Sequence, residues 1–125
     1  SDNSETRYLV NQTAFEKGIP LVSAAITQWE GQISVFDPSR GGPCYTCVFP
    51  QVPADGLAPS CAEGGVLGPL PGVIGSMMAV EAIKFLTGAG ETLLGRLLIY
   101  DALHADMRII AVHRQDDCKT CGKKK

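Results

Sequence analysis

The sequence lacks any unbroken run of the roughly 18 apolar residues that a membrane-spanning helix needs. Its longest apolar stretch, residues 64–86, is interrupted by Pro69, Pro71, Glu81 and Lys84, and no membrane partner is expected. It also lacks a charged start followed by an apolar segment, so no secretory leader is expected. Positive charge is not in excess: 11 Lys and Arg stand against 13 Asp and Glu, for a net charge of -2. The terminal Lys123, Lys124 and Lys125 read as a solvated end. Without a basic stripe, no nucleic-acid partner is expected. Charge of either sign is scarce, at 19% of residues against 45% hydrophobic. That balance argues against disorder and for a packed core. The 125 residues suit one domain or part of one. They open on Ser1 and a polar run, SDNSETR, which suggests a cut inside a longer protein.

What the sequence has is a patterned set of five cysteines. Cys44 and Cys47 stand in GGPCYTCVFP, and Cys118 and Cys121 stand in DDCKTCG. Each pair is a C-x-x-C knuckle, and Cys61 is left over. One such knuckle is ambiguous between a redox dithiol, a disulfide and half of a metal site. The odd count, with no secretory signal, argues against a disulfide framework. Two matched knuckles read as a tetrathiolate Zn²⁺ site, because the two-residue spacing lets both sulfurs of a knuckle turn toward one ion. A closed shell of four sulfurs leaves no open position for water, so the zinc would be structural. Independent disulfides or a redox pair remain the alternatives.

The remaining pattern predicts a helix over 3–17, with Asn3 or Ser4 as its cap and Gly18 and Pro20 as its stop. Residues 19–27 (IPLVSAAIT) predict a buried strand and residues 31–36 (GQISVF) a second one. A turn over 40–43 leads into the first knuckle. Residues 51–62, rich in Pro, Ala and Gly, predict a long irregular loop. Residues 72–87 predict a helix that is apolar on nearly every face, central and buried. Met77 and Met78 within it read as core packing. Residues 95–103 and 107–114 predict a hairpin that turns around Ala105 and Asp106 and delivers Cys118 to the metal. Trp29 reads as core or interface packing, and His104 and His113 as polar strand-end residues. The order gives an α/β fold with a mixed sheet.

In that order, the segments SDNSETRYLVN, PLVSAAITQWEGQISVF, PCYTC, SCAEGGVLGPLPGVIGSMMAVEAIKFL, LLIYDAL and CKTCG resemble the C-terminal half of the HesA/MoeB/ThiF family, across essentially the whole chain. These adenylyltransferases are relatives of the ubiquitin-activating enzymes. The resemblance implies the C-terminal part of a Rossmann-like fold over 1–125, with the nucleotide-binding half absent. It implies ATP and Mg²⁺ in the intact enzyme, and a ubiquitin-like sulfur carrier whose C-terminal glycine is adenylated. The carrier would belong to molybdopterin or thiamine biosynthesis. A homodimer and a cytoplasmic location are further expectations. The family's D-N-x-x-x-R element falls on Asp2, Asn3 and Arg7, with Asp2 helping to hold Mg²⁺ and phosphates. From the residues alone, Asn3 reads as a helix cap and Arg7 as a solvated helix face. Cys61 falls on the crossover-loop cysteine, which is a nucleophile in some members and dispensable in others. The glycine-rich nucleotide loop has no counterpart: Gly88-Ala89-Gly90 follows a helix, not a strand. This chain alone is expected not to adenylate. A metal-stabilised module that docks a ubiquitin-like protein without catalysis is the alternative.

Overall fold

The computed structural model describes residues 3–51 and 65–122. The chain begins with helix α1 (Ser4–Lys17), and Asn3 caps it by accepting the Glu5 N–H at 2.9 Å. Gly18 ends the helix in the left-handed conformation, at φ 65°, where glycine meets no side-chain penalty. Strands β1 (Leu21–Thr27) and β2 (Glu30–Phe36) follow. The loop between them is only two residues, since Thr27 pairs with Glu30. A 3-10 turn (Pro38–Arg40) and a four-residue helix, α2 (Tyr45–Val48), then carry the first knuckle. Helix α3 (Leu70–Thr87) and strands β3 (Arg96–Asp101) and β4 (Asp106–Ala111) complete the described elements.

The strands lie in the order β1-β2-β3-β4, and every neighbour is antiparallel. Among the described residues, parallel pairing, which a mixed sheet requires, is confined to two isolated bridges, Gln28 with Val66 and Val35 with Leu94. Alternation along β2 gives the sheet two different faces. Ile33 and Val35 face α3 and form the main core with Leu70, Ile74 and Leu93. Val22, Ala24 and Ile26 of β1, with Leu98 and Tyr100 of β3, pack around it. The opposite face carries Ser23, Gln32 and Ser34, which line a cavity of about 70 Å³ with Arg7, Tyr45 and Phe49.

Helix and sheet meet most closely at Gly31. A Cβ there would lie 2.4 Å from Ile74 Cδ1, so glycine lets α3 approach β2. Beyond that contact the helix is anchored by Glu81, which is buried. Its carboxylate accepts the Leu93 N–H at 2.6 Å and pairs with Lys84 at 2.6 Å. Lys84 in turn donates to the Glu91 carbonyl at 2.7 Å. Sequence reading treated Glu81 and Lys84 only as interruptions of an apolar run. They pin the connection from α3 to β3.

Several expectations change in detail. Helix α3 lies against the sheet but is buried on one face only. Val73, Val80, Ile83 and Leu86 are exposed, Leu86 by 82%. Its apolar residues surround the axis, while the described sheet covers a single side. By length and composition alone α3 could cross a bilayer, contrary to the expectation from its two charges. In the fold those charges are spent on the Leu93 and Glu91 backbone. Strand β1 is half-buried, not buried, because it is an edge of the described sheet. Trp29 sits in the two-residue loop and is exposed rather than packed in the core. Met77 and Met78 do pack against the core. The hairpin turn covers 102–105, with Ala105 at positive φ. Asp101 organises that turn by pairing with His104 Nδ1 at 2.8 Å and accepting two backbone N–H groups. The His104 bond, more than any other contact, lowers the Asp101 pKa.

Truncating the core side of α3 tests this one-sided packing. Ile74→Ala is expected to destabilise the fold by about 2–5 kcal/mol. Leu86→Ala should stay within about 0.5 kcal/mol. Denaturant titration of both variants beside the parent measures the contrast.

Candidate metal centre

The first knuckle is shaped by its own short helix. Cys44 caps α2 and Cys47 lies inside it, with the Cys47 N–H donating to the Cys44 carbonyl at 3.2 Å. The second knuckle closes on Gly122, whose N–H reaches the Cys118 carbonyl at 2.9 Å. A Cβ at Gly122 would stand 2.4 Å from that carbonyl oxygen and 2.6 Å from the Asp116 oxygen. Backbone occupies the space, so only glycine fits. The glycine after the second C-x-x-C is therefore part of the knuckle.

The fold brings all four knuckle sulfurs within 4.8 Å of one another. Cys44 and Cys47 Sγ are 3.8 Å apart, Cys44 and Cys118 3.6 Å, and Cys47 and Cys121 3.4 Å. None is in a disulfide, which would require about 2.05 Å. Four sulfurs around one Zn²⁺ at about 2.3 Å would stand about 3.8 Å from each other. The set fits a tetrahedral ion such as zinc, and the expected ligands Cys44, Cys47, Cys118 and Cys121 are the ones assembled.

Electrostatics at the four sulfurs is uneven. Burial pushes the Cys47 and Cys121 thiols up from their ordinary value. Burial acts the same way at Cys118, but hydrogen bonds from the Cys121 and Thr120 N–H groups and from the Cys44 and Cys47 side chains together outweigh it, and its pKa is lowered. The Gln115 N–H also points at Cys47 Sγ, at 3.4 Å. A bound cation would replace the protons that hold the buried thiols neutral.

Around the sulfurs lies a polar frame that the sequence reading missed. Thr46 and Thr120 hydroxyls bond each other at 2.9 Å, joining the middles of the two knuckles. Asn11, buried in α1, donates to Thr46 Oγ1 at 3.1 Å and accepts the Tyr45 N–H at 2.9 Å. Arg114 donates to the Cys121 carbonyl at 2.6 Å. The matching x-T-C of YTC and KTC was the available signal. A threonine just before each second cysteine places two hydroxyls at the same point of two facing knuckles.

The other expected residues are placed as follows. Arg7 is half-buried, and its guanidinium donates to the Ala24 carbonyl at 3.0 Å. It reaches from α1 to β1 and borders the small cavity under Tyr45. This differs from a solvated helix face. Asn3 is the α1 cap. Asp2 and Cys61 lie outside the described residues, as does nearly all of the expected loop over 51–62.

Two measurements check the centre. One Zn²⁺ per chain is expected by native mass spectrometry, with a large fall in thermal stability when a strong chelator strips it. Gly122→Ala is expected to lower metal content and stability together, because the second knuckle cannot close around a Cβ.

Residues 1–120 match the family model described as the ThiF family. A sulfur carrier protein adenylyltransferase of Thermus thermophilus is 52% identical over 126 residues, which cover 98% of this chain and 46% of that protein. A SAMP-activating enzyme E1 of Haloferax volcanii is 47% identical, over 98% of this chain and 45% of its own. The adenylyltransferase and sulfurtransferase MOCS3 of Bos taurus is 47% identical over 99% of this chain and 27% of that protein. The chain thus spans less than half the length of these relatives. A crystal structure of E. coli MccB with MccA-N7isoASN shares the fold, at a TM-score of 0.80 and 17% identity, over 98% of this chain and 39% of that one. With that fold, and a family match reaching from the first residue to the second knuckle, the chain belongs to the ThiF family.

Proposed function

We propose that this chain is the metal-bearing half of an ATP-dependent adenylyltransferase that activates the C-terminal glycine of a ubiquitin-like sulfur carrier. One observation carries the reading: a 52% identical relative over 98% of the chain is a sulfur carrier protein adenylyltransferase. In such a reaction a carrier carboxylate attacks the α-phosphorus of ATP and pyrophosphate leaves. Both partners are anionic, so the reaction needs charge neutralised where it accumulates. Asp2 would hold Mg²⁺, with Asn3 beside it at the start of α1. Arg7 would supply positive charge from a guanidinium whose orientation is already set by Ala24. Zinc at the four cysteines would be structural, and Cys61 would handle the carrier covalently.

The carrier would serve molybdopterin or thiamine synthesis in the cytoplasm. A homodimer would cover part of the apolar surface of α3. The sequence contains no G-x-G-x-x-G run, so this segment alone should not adenylate.

Pyrophosphate exchange tests the reading. With the intact protein, exchange of labelled pyrophosphate into ATP is expected only when Mg²⁺ and a carrier ending in glycine are both present. Asp2→Ala should lower the rate by about 100-fold or more. An intact, metal-replete protein that binds the carrier yet shows no exchange would overturn the proposal in favour of a non-catalytic docking module.

A further inference from the structure

Cys118 differs from its three companions. Cys44, Cys47 and Cys121 are 0%, 7% and 1% exposed. Cys118 is only partly buried. It opens on a groove of about 370 Å³, bordered by Thr46, Pro50, Gln115, Asp117 and Lys119 and also touched by the much less exposed Cys47. Among the described residues, that side gives small polar reagents access to its sulfur. Behind it, fully enclosed, lies the Cys44 sulfur at 3.6 Å. Cys47 and Cys121 are 3.4 Å apart. Both of these short contacts join opposite knuckles, whereas the two sulfurs of the first knuckle are 3.8 Å apart.

We propose that Cys118 is an oxidation site for hydroperoxides, and that its oxidation closes a disulfide to Cys44 across the two knuckles. The Cys118 sulfur, as thiolate, attacks one peroxide oxygen. The O–O bond breaks, the departing oxygen leaves as hydroxide or alkoxide and takes a proton, and Cys118 carries a sulfenic acid. The Cys44 thiolate then attacks the Cys118 sulfur. The S–O bond breaks, and the second oxygen leaves as water after taking a proton. Two thiols give two electrons, and one hydroperoxide is reduced to water and water or an alcohol. The new bond needs the sulfurs to close from 3.6 Å to about 2.05 Å.

The consequence is structural. A metal held by four sulfurs would lose two ligands at once and be released. The Cys44–Cys118 bond spans the same 74 positions, so the covalent tie would persist after the metal leaves. Cys47 and Cys121 could then pair in the same sense. The inference does not depend on the adenylation reading.

The test uses the intact protein carrying Cys61→Ser, so that the fifth thiol cannot scramble the products. It is treated with hydrogen peroxide in the presence of a chromogenic zinc chelator and quenched by alkylation. Linked peptides are mapped by mass spectrometry, and a parallel sample contains a carbon nucleophile that traps sulfenic acids. The expected result is trapping at Cys118 and a first disulfide between Cys44 and Cys118. Zinc should appear mole for mole with that disulfide. A first disulfide within either knuckle, trapping at another cysteine first, or thiols that stay reduced at peroxide levels that oxidise free cysteine would overturn the proposal. Should the protein carry no metal, the disulfide map still decides it.

Discussion

Four sulfurs from two distant segments must meet at one point, and most of the polar half of the fold is arranged around that meeting. The first knuckle arrives from the end of β2 and the second from the end of β4. Joining them ties the chain after β2 to the chain after β4. A tetrathiolate metal site can contribute on the order of 10 kcal/mol to folding, comparable with the whole stability of a small domain. The described core around Ile33, Val35, Leu70, Ile74 and Leu93 is small, and a strong staple on the opposite face complements it.

The division of the sheet into two faces follows from the alternation in β2. One side presents Gly31, Ile33 and Val35 to α3 and excludes water. The other presents Gln32 and Ser34, together with Ser23, toward α1, Tyr45 and Arg7. Arg7 and Asn11 lie one turn apart on α1 and serve the two regions in sequence. Arg7 reaches the β1 backbone, and Asn11 reaches the first knuckle. The helix that begins with the proposed nucleotide-binding residues is thus tied to the metal centre by a buried amide.

The apolar residues left on the outer face of α3 and along β4 fit a chain that spans less than half the length of its relatives. Val80, Ile83 and Leu86 meet no described element that covers them. Met107, Ile109 and Ile110 of β4 are exposed in the same way. Large exposed apolar patches are a common mark of interaction sites.

The sequence by itself determined the longer helices, the strands and the candidate ligands. Asn3 starts α1 through its side-chain cap, and Gly18 and Gly88 stop α1 and α3 through left-handed backbone geometry. An apolar β-branched run pointed to β1 and period-two alternation to β2, and the two C-x-x-C knuckles picked out four candidate metal ligands without their partners in view. These signals are local, and each acts within a few residues. Only the tertiary structure decided what depends on distant neighbours. It set which face of α3 is buried, since an all-apolar helix has no preferred side until a sheet meets it. It gave Glu81 and Lys84 their backbone partners twelve and seven positions on. It turned Arg7 from a surface position into an anchor on Ala24, and left Trp29 exposed in a two-residue loop. It also ranked the cysteines, enclosing Cys44 and opening Cys118 to a groove, because exposure belongs to the packed assembly and has no local code.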